Sequence, residues 1–209
     1  MIFIFLGPPG SGKGTQAERL ADEFKIPHIA LGDILRETIR EGSETGKVAK
    51  GYVEAGRLVP DEMTIKIVEE RIKRPDCKNG FILDGFPRSR QQAEALKEAL
   101  AGQDYKVIYI EVPLELTIER NAGRLSCANC GAVYHLKNNP PRQAGICDKC
   151  GGALYERKDD NREVIETRFK VYKESTAPLI DYYKDKLISV EGTGDIEGVF
   201  KRLLKALGV

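Results

Sequence analysis

The sequence lacks an excess of charge of either sign and lacks any long hydrophobic run. Its 33 Lys and Arg residues oppose 32 Asp and Glu residues, which leaves +1 at pH 7. This balance provides no overall field for a nucleic acid or a membrane surface, so we expect neither as a partner. The apolar start, residues 2–6, is too short to cross a membrane and has no basic region or cleavage site of a signal peptide. We expect a cytoplasmic protein.

A glycine-rich loop follows this apolar start and precedes a helical pattern. The sequence GPPGSGKGT occupies residues 7–15. Glycines allow backbone N–H groups to converge on an anion, and a helix N-terminus beside Lys13 adds positive charge. The pattern differs from G-x-x-x-x-G-K-[ST] because Gly14 follows the lysine, which leaves the hydroxyl on Thr15. We predict a site for the phosphates of a nucleotide, and an ordinary turn is the alternative. The residues concerned are Gly10, Ser11, Gly12, Lys13, Gly14 and Thr15.

Five short apolar runs alternate with longer helical patterns. They lie at residues 2–6, 26–30, 81–83, 107–112 and 187–190. Strands that alternate with helices form parallel crossovers, so the pattern predicts an α/β fold with a doubly wound, five-stranded parallel sheet. Ligands of such sheets bind beyond the carboxyl ends of the strands.

Two connections are too long for a single crossover helix. Residues 31–60 predict a small helical insertion, with a helix from about 44 to 55, and we expect it to end at Pro60 with Asp61 as the cap of the next helix. Residues 124–160 have little helical periodicity and many turn residues. The remaining segments, 1–30, 61–123 and 161–209, would form the core domain.

Four of the five cysteines form two C-x-x-C pairs, separated by sixteen residues and each followed by glycine. This spacing predicts a closed, tetrahedral and therefore structural Zn²⁺ site, with iron as another metal that such thiolates hold. Free thiols or two disulfides are the alternatives. We expect Cys77 to be a partly buried thiol and His135 to be a hydrogen-bonding side chain. The predicted ligands are Cys127, Cys130, Cys147 and Cys150.

Asp84 follows a predicted buried strand, where a carboxylate can hold Mg²⁺ directly or through water. A turn-forming role is its alternative. Arginines, whose planar fork of donors matches phosphate oxygens, recur along the presumed cleft. We expect Arg162 to be an ordinary solvated residue, and the segment 157–160 to be a surface hinge or a place where acids orient arginines. The arginines are Arg36, Arg88, Arg120, Arg124, Arg157, Arg162 and Arg168.

In this order and spacing the motifs resemble the adenylate kinase family, of the long form with a zinc-binding lid, over nearly the whole chain. In that family a Gly-Thr pair follows the lysine, as Gly14-Thr15 does here. The motifs are GPPGSGKGTQA at 7–17, GDILR at 32–36, DGFPR at 84–88, GR at 123–124, GAVYH at 131–135, RKDD at 157–160 and TAPLI at 176–180.

The resemblance implies a monomeric P-loop enzyme that converts ATP and AMP into two ADP with Mg²⁺. Residues 31–60 would be the monophosphate-binding insertion, and residues 124–160 a lid that closes to exclude water. Thr15 and Asp84 would position Mg²⁺. The implied catalytic residues are Lys13, Arg88, Arg124, Arg157 and Arg168. Implied ATP contacts are residues 10–15, Arg120, Arg124, Val133, Tyr134 and Gly194. Implied AMP contacts are Leu31, Arg36, Arg57, Leu58, Val59, Gly85, Phe86, Pro87, Arg88, Gln92, Arg157 and Arg168, with Gln92 on the adenine edge.

Two positions depart from that family's pattern. Leu31 stands where Thr or Ser is usual, which removes a hydroxyl contact to AMP, and Gly194 leaves only a backbone contact near the ATP base. A kinase for another monophosphate, UMP or CMP, is therefore one alternative. A more distant alternative is a zinc-ribbon module that binds nucleic acid, which near-neutral charge and few aromatic residues in the cysteine segment disfavour.

Overall fold

The computed structural model describes residues 1–209 and contains two β-sheets. The strands are β1 Ile2–Leu6, β2 His28–Ala30, β3 Phe81–Asp84, β4 Tyr105–Glu111, β5 Arg124–Cys127, β6 Val133–His135, β7 Leu154–Glu156 and β8 Leu187–Glu191. The α-helices are α1 Lys13–Phe24, α2 Leu31–Glu41, α3 Glu44–Glu54, α4 Asp61–Ile72, α5 Arg90–Ala99, α6 Leu114–Asn121, α7 Arg162–Val171, α8 Leu179–Tyr182 and α9 Ile196–Leu207. Short 3₁₀ turns span Pro75–Cys77, Lys158–Asp160 and Lys184–Lys186, and a π turn spans Tyr172–Thr176.

The larger sheet has the strand order β2-β3-β1-β4-β8, and every neighbouring pair is parallel. The predicted doubly wound α/β fold is therefore confirmed. Strand β2 begins at His28 rather than at residue 26, because Pro27 has no N–H group to donate to a ladder. Strand β4 begins two residues earlier than predicted, at Tyr105.

The apolar run of β1 is continuous because the sheet is covered on both faces. Successive side chains of a strand point to opposite faces. Ile2, Ile4 and Leu6 belong to a core of 19 buried residues shared with α4 and α5, whereas Phe3 and Phe5 belong to a core of 14 residues shared with α1 and α9. The first strand thus anchors both cores, and the loop that follows it starts from a fixed position.

The segment 31–60 contains α2 and α3, and the helix predicted from about 44 to 55 is found as α3. The prediction that Asp61 caps the next helix is wrong. Helix α4 begins at Asp61 itself, after Pro60, and has no side-chain cap. The Asp61 carboxylate accepts hydrogen bonds from Ser89 Oγ and Gln92 Nε2, each at 2.7 Å, and so holds α5 against α4 instead.

The smaller sheet is antiparallel, has the order β6-β5-β7, and lies within residues 124–160. It contacts both other parts of the chain. Arg40 of α2 donates to the carbonyl of Ala128, and Lys149 pairs with Glu18 of α1. No helix of the structure has the length and apolar character that crossing a bilayer requires.

Leu83 is fully buried in the central region of the larger sheet. Leu83→Ala is expected to lower the free energy of unfolding by about 2–5 kcal/mol, because it leaves a cavity in a close-packed core. Urea unfolding followed by circular dichroism would measure this change. Leu114→Ala is the matched control, since this leucine is 39% exposed and its truncation is expected to cost less than about 0.5 kcal/mol. Equal losses in the two variants would contradict the assigned core.

Candidate active site

Two adjoining cavities lie beyond the carboxyl ends of the parallel strands. The larger, about 2530 Å³ including the solvent at its opening, is lined by the glycine-rich loop, the strand ends and residues of the smaller sheet. The smaller, about 560 Å³ on the same measure, lies between α2, α3, α4 and the loop before α5. The two cavities share Gly32, Arg36, Arg88 and Arg168 as lining residues. The site is therefore a pair of compartments that meet at three arginines.

The glycine-rich loop curves tightly around the start of α1. Gly10 has a φ of +82°, and a Cβ there would come within 2.4 Å of the carbonyl oxygen of Thr117. Helix α1 begins at Lys13, so its free N-terminal amides belong to the loop. The Lys13 ammonium donates to the carbonyls of Gly7 at 2.8 Å and Pro8 at 2.9 Å. Burial lowers the pKa of Lys13 to about 8, although Asp84 opposes the shift.

Gly14 lies directly against the end of β3. A Cβ at this position would lie 3.2 Å from Asp84 Oδ2, closer than an ordinary van der Waals contact. The glycine after the lysine therefore allows the loop and Asp84 to approach each other. Burial alone would raise the pKa of Asp84, but the charges of His28 and Lys13 outweigh it and hold that pKa below its usual range. Asp84 is thus a carboxylate at neutral pH.

His28 is a site residue that the sequence analysis missed. Its Nε2 lies 3.7 Å from Asp84 Oδ2, which is longer than a hydrogen bond, so the contact is electrostatic. Burial opposes protonation of His28, but the neighbouring carboxylate raises its pKa. The parallel register sets Ala30 opposite Asp84 and so brings β2 to the same edge. A sequence search limited to loops after strands could not find a residue that lies within a strand.

The acids of segment 157–160 orient the arginines, which was one of the two predicted roles, the other being a surface hinge. Arg124 makes a two-pronged contact with Asp160, with Nε to Oδ2 at 2.7 Å. Arg168 Nη1 donates to Asp159 Oδ2 at 2.9 Å and to Asp160 Oδ1 at 3.3 Å. These contacts join the smaller sheet to α7. Arg162, in contrast, is exposed and pairs with Glu166, as expected for a solvated residue.

Two further arginines are held by residues that were not singled out beforehand. Arg157 Nε donates to Ser126 Oγ at 2.6 Å, and Arg157 Nη2 lies 3.8 Å from Asp33 Oδ1. Arg36 contacts the same Asp33 oxygen at 2.5 Å. The i,i+3 spacing of Asp33 and Arg36 on a helix was a usable sequence signal for this pair.

Burial and mutual repulsion destabilise the charges of this cluster. Burial is the larger cause and the guanidinium of Arg124 the next, and together they lower the pKa values of Arg157 and Arg168 to about 10. These groups remain charged at neutral pH, but their charge is poorly solvated. A polyanion that enters the site would relieve both effects, so the arrangement is suited to several phosphate groups.

The remaining candidates for the larger cavity are all at its wall. Arg120 donates to the carbonyl of Ser11 at 3.4 Å and to that of Gly194 at 3.2 Å. Thr15, Val133 and Tyr134 also line this cavity. Tyr134 is mostly buried, and its hydroxyl accepts a hydrogen bond from the backbone N–H of Asp148 at 2.8 Å.

The wall of the smaller cavity mixes apolar residues with polar and charged ones. Leu31 is the first residue of α2, is 3% exposed and belongs to the same core cluster as Leu35. Other candidates that line the cavity are Arg57, Leu58, Val59 and Gln92. Gly85 lines the larger cavity, whereas Phe86 and Pro87 line neither, and Phe86 is part of the core.

The four paired cysteines converge on one point. Their sulfur atoms all lie within 4.8 Å of one another, with Cys127–Cys150 at 3.4 Å and Cys130–Cys147 at 3.6 Å. Tetrahedral Zn–S bonds of about 2.3 Å require sulfur separations of about 3.8 Å, so the group fits Zn²⁺. A disulfide needs about 2.05 Å, and the alternative of two disulfides is therefore wrong.

Local hydrogen bonds favour a thiolate at Cys147. Burial opposes its ionisation, but the hydroxyl of Tyr134 and the backbone N–H groups of the same turn outweigh burial and lower its pKa to about 6. His135 accepts hydrogen bonds from the backbone N–H groups of Lys137 and Asn138, which confirms its predicted role. Cys77 is a buried thiol just after α4, outside the metal group.

Comparison with known proteins gives one consistent family match over nearly the whole chain. A family model described as adenylate kinase matches residues 5–188. The chain is 54% identical to the adenylate kinase of Archaeoglobus fulgidus over 208 residues, which cover 97% of this chain and 96% of that protein. It is 53% identical to the adenylate kinase of Caldicellulosiruptor saccharolyticus, over all of both chains. It is 49% identical to that of Alkaliphilus oremlandii, over 100% of this chain and 99% of the relative.

Chelation is expected to destabilise the protein, because four clustered sulfurs would lose the cation that compensates their charge. The purified protein should contain about one metal ion per chain, and removing it under reducing conditions should lower the melting temperature. Elemental analysis and calorimetry of the same sample would measure both and identify the metal. Cys127→Ser is the control, since the chelator should shift its melting temperature less. An unchanged melting temperature after demonstrated metal loss would contradict the assignment.

The lowered pKa of Lys13 predicts a specific pH dependence of stability. Between about 8 and its ordinary value of 10.5, the unfolded chain keeps the Lys13 proton while the folded protein releases it. The free energy of unfolding therefore rises with pH in this window, by at most about 1.4 kcal/mol per pH unit, and below the window Lys13 adds no pH dependence. Lys13→Met should lack the rise. Denaturant unfolding of both proteins at pH 7 to 10 would test this, and parallel stability curves would count against it.

Proposed function

Because the chain belongs to the adenylate kinase family and is therefore a phosphotransferase, we propose that it reversibly transfers the terminal phosphoryl group of Mg²⁺-bound ATP to AMP, giving two ADP. The observation that carries the proposal is the meeting of two cavities at Arg36, Arg88 and Arg168. Direct transfer requires a donor phosphate and an acceptor phosphate in line, with positive charge around the transferring group. Two nucleotides bound in the two cavities would meet that requirement.

The larger cavity would hold ATP. The amides of residues 10–15 and the Lys13 ammonium would bind its phosphates, in keeping with the start of α1 at Lys13. Lys13 would exchange its contacts with the carbonyls of Gly7 and Pro8 for phosphate oxygens. The other proposed ATP contacts are Arg120, Arg124, Val133, Tyr134 and the backbone of Gly194, all of which line this cavity.

The smaller cavity would hold the base of AMP, and the shared wall would hold its phosphate. Arg36 and Arg88 reach both compartments. Arg157 and Arg168 would bridge the two nucleotides as the reaction proceeds, since their poorly solvated charges gain most from a developing negative charge. The proposed AMP contacts that line one of the two cavities are Leu31, Arg36, Arg57, Leu58, Val59, Gly85, Arg88, Gln92, Arg157 and Arg168. Contacts of Phe86 and Pro87 with AMP stay predictions.

Mg²⁺ fits the carboxylate of Asp84 and the hydroxyl of Thr15, which both line the larger cavity beside the glycine-rich loop. Asp84 is held as a carboxylate, and the Thr15 hydroxyl lines the same cavity. Hard cations prefer such oxygen ligands, with water completing the shell. When bound with ATP, Mg²⁺ would neutralise part of the phosphate charge. His28 would keep Asp84 ionised and in place.

Residues 124–160 would act as a lid and residues 31–60 as the AMP-binding insertion, on a core of residues 1–30, 61–123 and 161–209. The ion pair of Lys149 with Glu18 and the contact of Arg40 with the Ala128 carbonyl support this, since they join the lid to α1 and to α2. A closed lid would exclude water, which otherwise competes as phosphoryl acceptor. The cysteine-bound Zn²⁺ would be structural. The cytoplasmic location and the monomeric state stay predictions.

One observation favours a second candidate, a kinase for another monophosphate such as UMP or CMP. Leu31 lines the smaller cavity and offers no hydroxyl to a nucleotide. Its side chain instead packs in the core, so no polar group takes the place of the missing hydroxyl at that position.

Incubation of the purified protein with ATP, Mg²⁺ and AMP, UMP or CMP in turn is expected to give ADP efficiently only with AMP. Lys13→Met should lower the rate by about 10²–10³-fold without unfolding the protein, because it removes a positive charge from the phosphate site. Lys73→Met, at an exposed lysine after α4, is the matched control and should retain full activity. Chromatographic separation of the nucleotides measures the products. Faster turnover of UMP or CMP than of AMP would identify that nucleotide as the acceptor in place of AMP. No turnover of any of them by folded protein would refute the proposal.

A further inference from the structure

We infer that Asp61 is a positioning residue that fixes the side-chain amide of Gln92 so that the smaller cavity selects a base with an amino group over one with an oxo group. The inference rests on the proposed function, in which this cavity holds the base of the acceptor nucleotide. Neither the sequence patterns nor the proposed AMP contacts assign this role to Asp61, which begins α4.

Asp61 connects two helices beneath the cavity. Its Oδ1 accepts from Gln92 Nε2 and its Oδ2 accepts from Ser89 Oγ, both at 2.7 Å. Ser89 is the N-cap of α5 and accepts in turn from the backbone N–H of Gln92 at 3.2 Å. Gln92 is 2% exposed, so its polar atoms must find partners within the protein or in a ligand.

The orientation of the Gln92 amide follows from its partners. A carboxylate can only accept, so the contact to Asp61 must come from the NH₂ group, whose second hydrogen faces Thr64 Oγ1 at 3.1 Å. A backbone N–H can only donate, so the contact from Arg88 N at 2.6 Å must reach Oε1. Both hydrogens are therefore used, and one lone pair of Oε1 is the hydrogen-bonding capacity that remains.

Thr64 likewise offers a hydrogen-bond acceptor to the cavity. Its hydroxyl donates to the carbonyl of Asp61 at 3.0 Å and accepts from Gln92, which leaves a lone pair. Gln92 and Thr64 both line the smaller cavity, next to apolar residues such as Leu31, Leu35 and Val59. The two uncharged polar side chains of this wall thus offer acceptors and no free donor.

A buried acceptor next to Leu31, Leu35 and Val59 discriminates between two related bases. The amino group at C6 of adenine donates a hydrogen bond and would satisfy the free lone pair. Hypoxanthine, the base of IMP, has the same ring size but an oxo group at C6, which would face that lone pair without a hydrogen between them. A buried polar group left unpaired is costly, so the site should reject oxo bases strongly. Without Asp61, a freed N–H or a turned amide could donate to the oxo group.

The test compares kcat/KM for AMP and IMP, with ATP as donor, in the wild type and in Asp61→Ala. We expect the AMP-to-IMP ratio to fall by about tenfold or more in D61A, mainly through a higher KM for AMP, while the KM for ATP stays the same. Asp61→Asn should largely retain the ratio, since its amide oxygen can still accept from Gln92 Nε2. Glu62→Ala is the matched control, because this carboxylate is the exposed neighbour on the same helix.

A structural role alone would lower both kcat/KM values equally and leave the ratio unchanged, which would overturn the inference. The background Gln92→Leu makes the test stricter, since D61A should no longer change the ratio there, and a remaining change would also overturn it. Should D61A fail to fold, Thr64→Val removes the other acceptor of the same amide and should lower the same ratio. A wild type that phosphorylates neither AMP nor IMP would refute the proposed function instead.

Discussion

The gathering of like charges in a poorly hydrated site is the constraint on which the rest of the structure depends. Burial lowers the pKa of Lys13 and of the arginines at 157 and 168, so each of these cations is held at a cost. An uncompensated buried charge costs several kcal/mol. The carboxylates of Asp84 and Asp160 offset part of this cost. A ligand that brings negative charge would remove the part that remains, so the folded site favours anions.

The compensating pairs come from separate parts of the chain, and this ties the charge balance to the arrangement of the fold. Asp33 and Arg36 belong to α2, whereas the partner of Arg124 comes from the far end of the segment 124–160. Arg157, which approaches Asp33, links these two regions across the cleft. The balance is therefore complete only when both regions lie over the larger sheet.

Much of the fold, and the tight glycine-rich loop at the start of α1, could be predicted because the signals are local. The apolar run of β1 indicates burial on both faces, and the glycines around Lys13 indicate the loop. Gly14 looked like a flaw in the motif, but its reason lies 70 positions away, at Asp84. His28 was missed and Asp61 was given the wrong role for the same reason: the register of β2 and the packing of α4 on α5 decide what they contact. Helix-cap statistics could not reveal that Asp61 has a stronger partner in a neighbouring helix.

The four-cysteine group lies in a segment whose apolar core is too small to stabilise it alone. The segment 124–160 buries a cluster of only four residues, two of which are cysteines of the four-sulfur group, so apolar burial contributes little to its stability. A closed Zn²⁺ site would supply the missing stability in a few residues. The site would also position Tyr134, which lines the larger cavity, because the Tyr134 hydroxyl accepts a hydrogen bond from the turn that holds Cys147. Ala128 and Lys149 lie inside the two cysteine turns and contact α2 and α1. A bound ion would hold these two contact surfaces at a fixed spacing, and would in this way be purely structural and still serve the proposed chemistry.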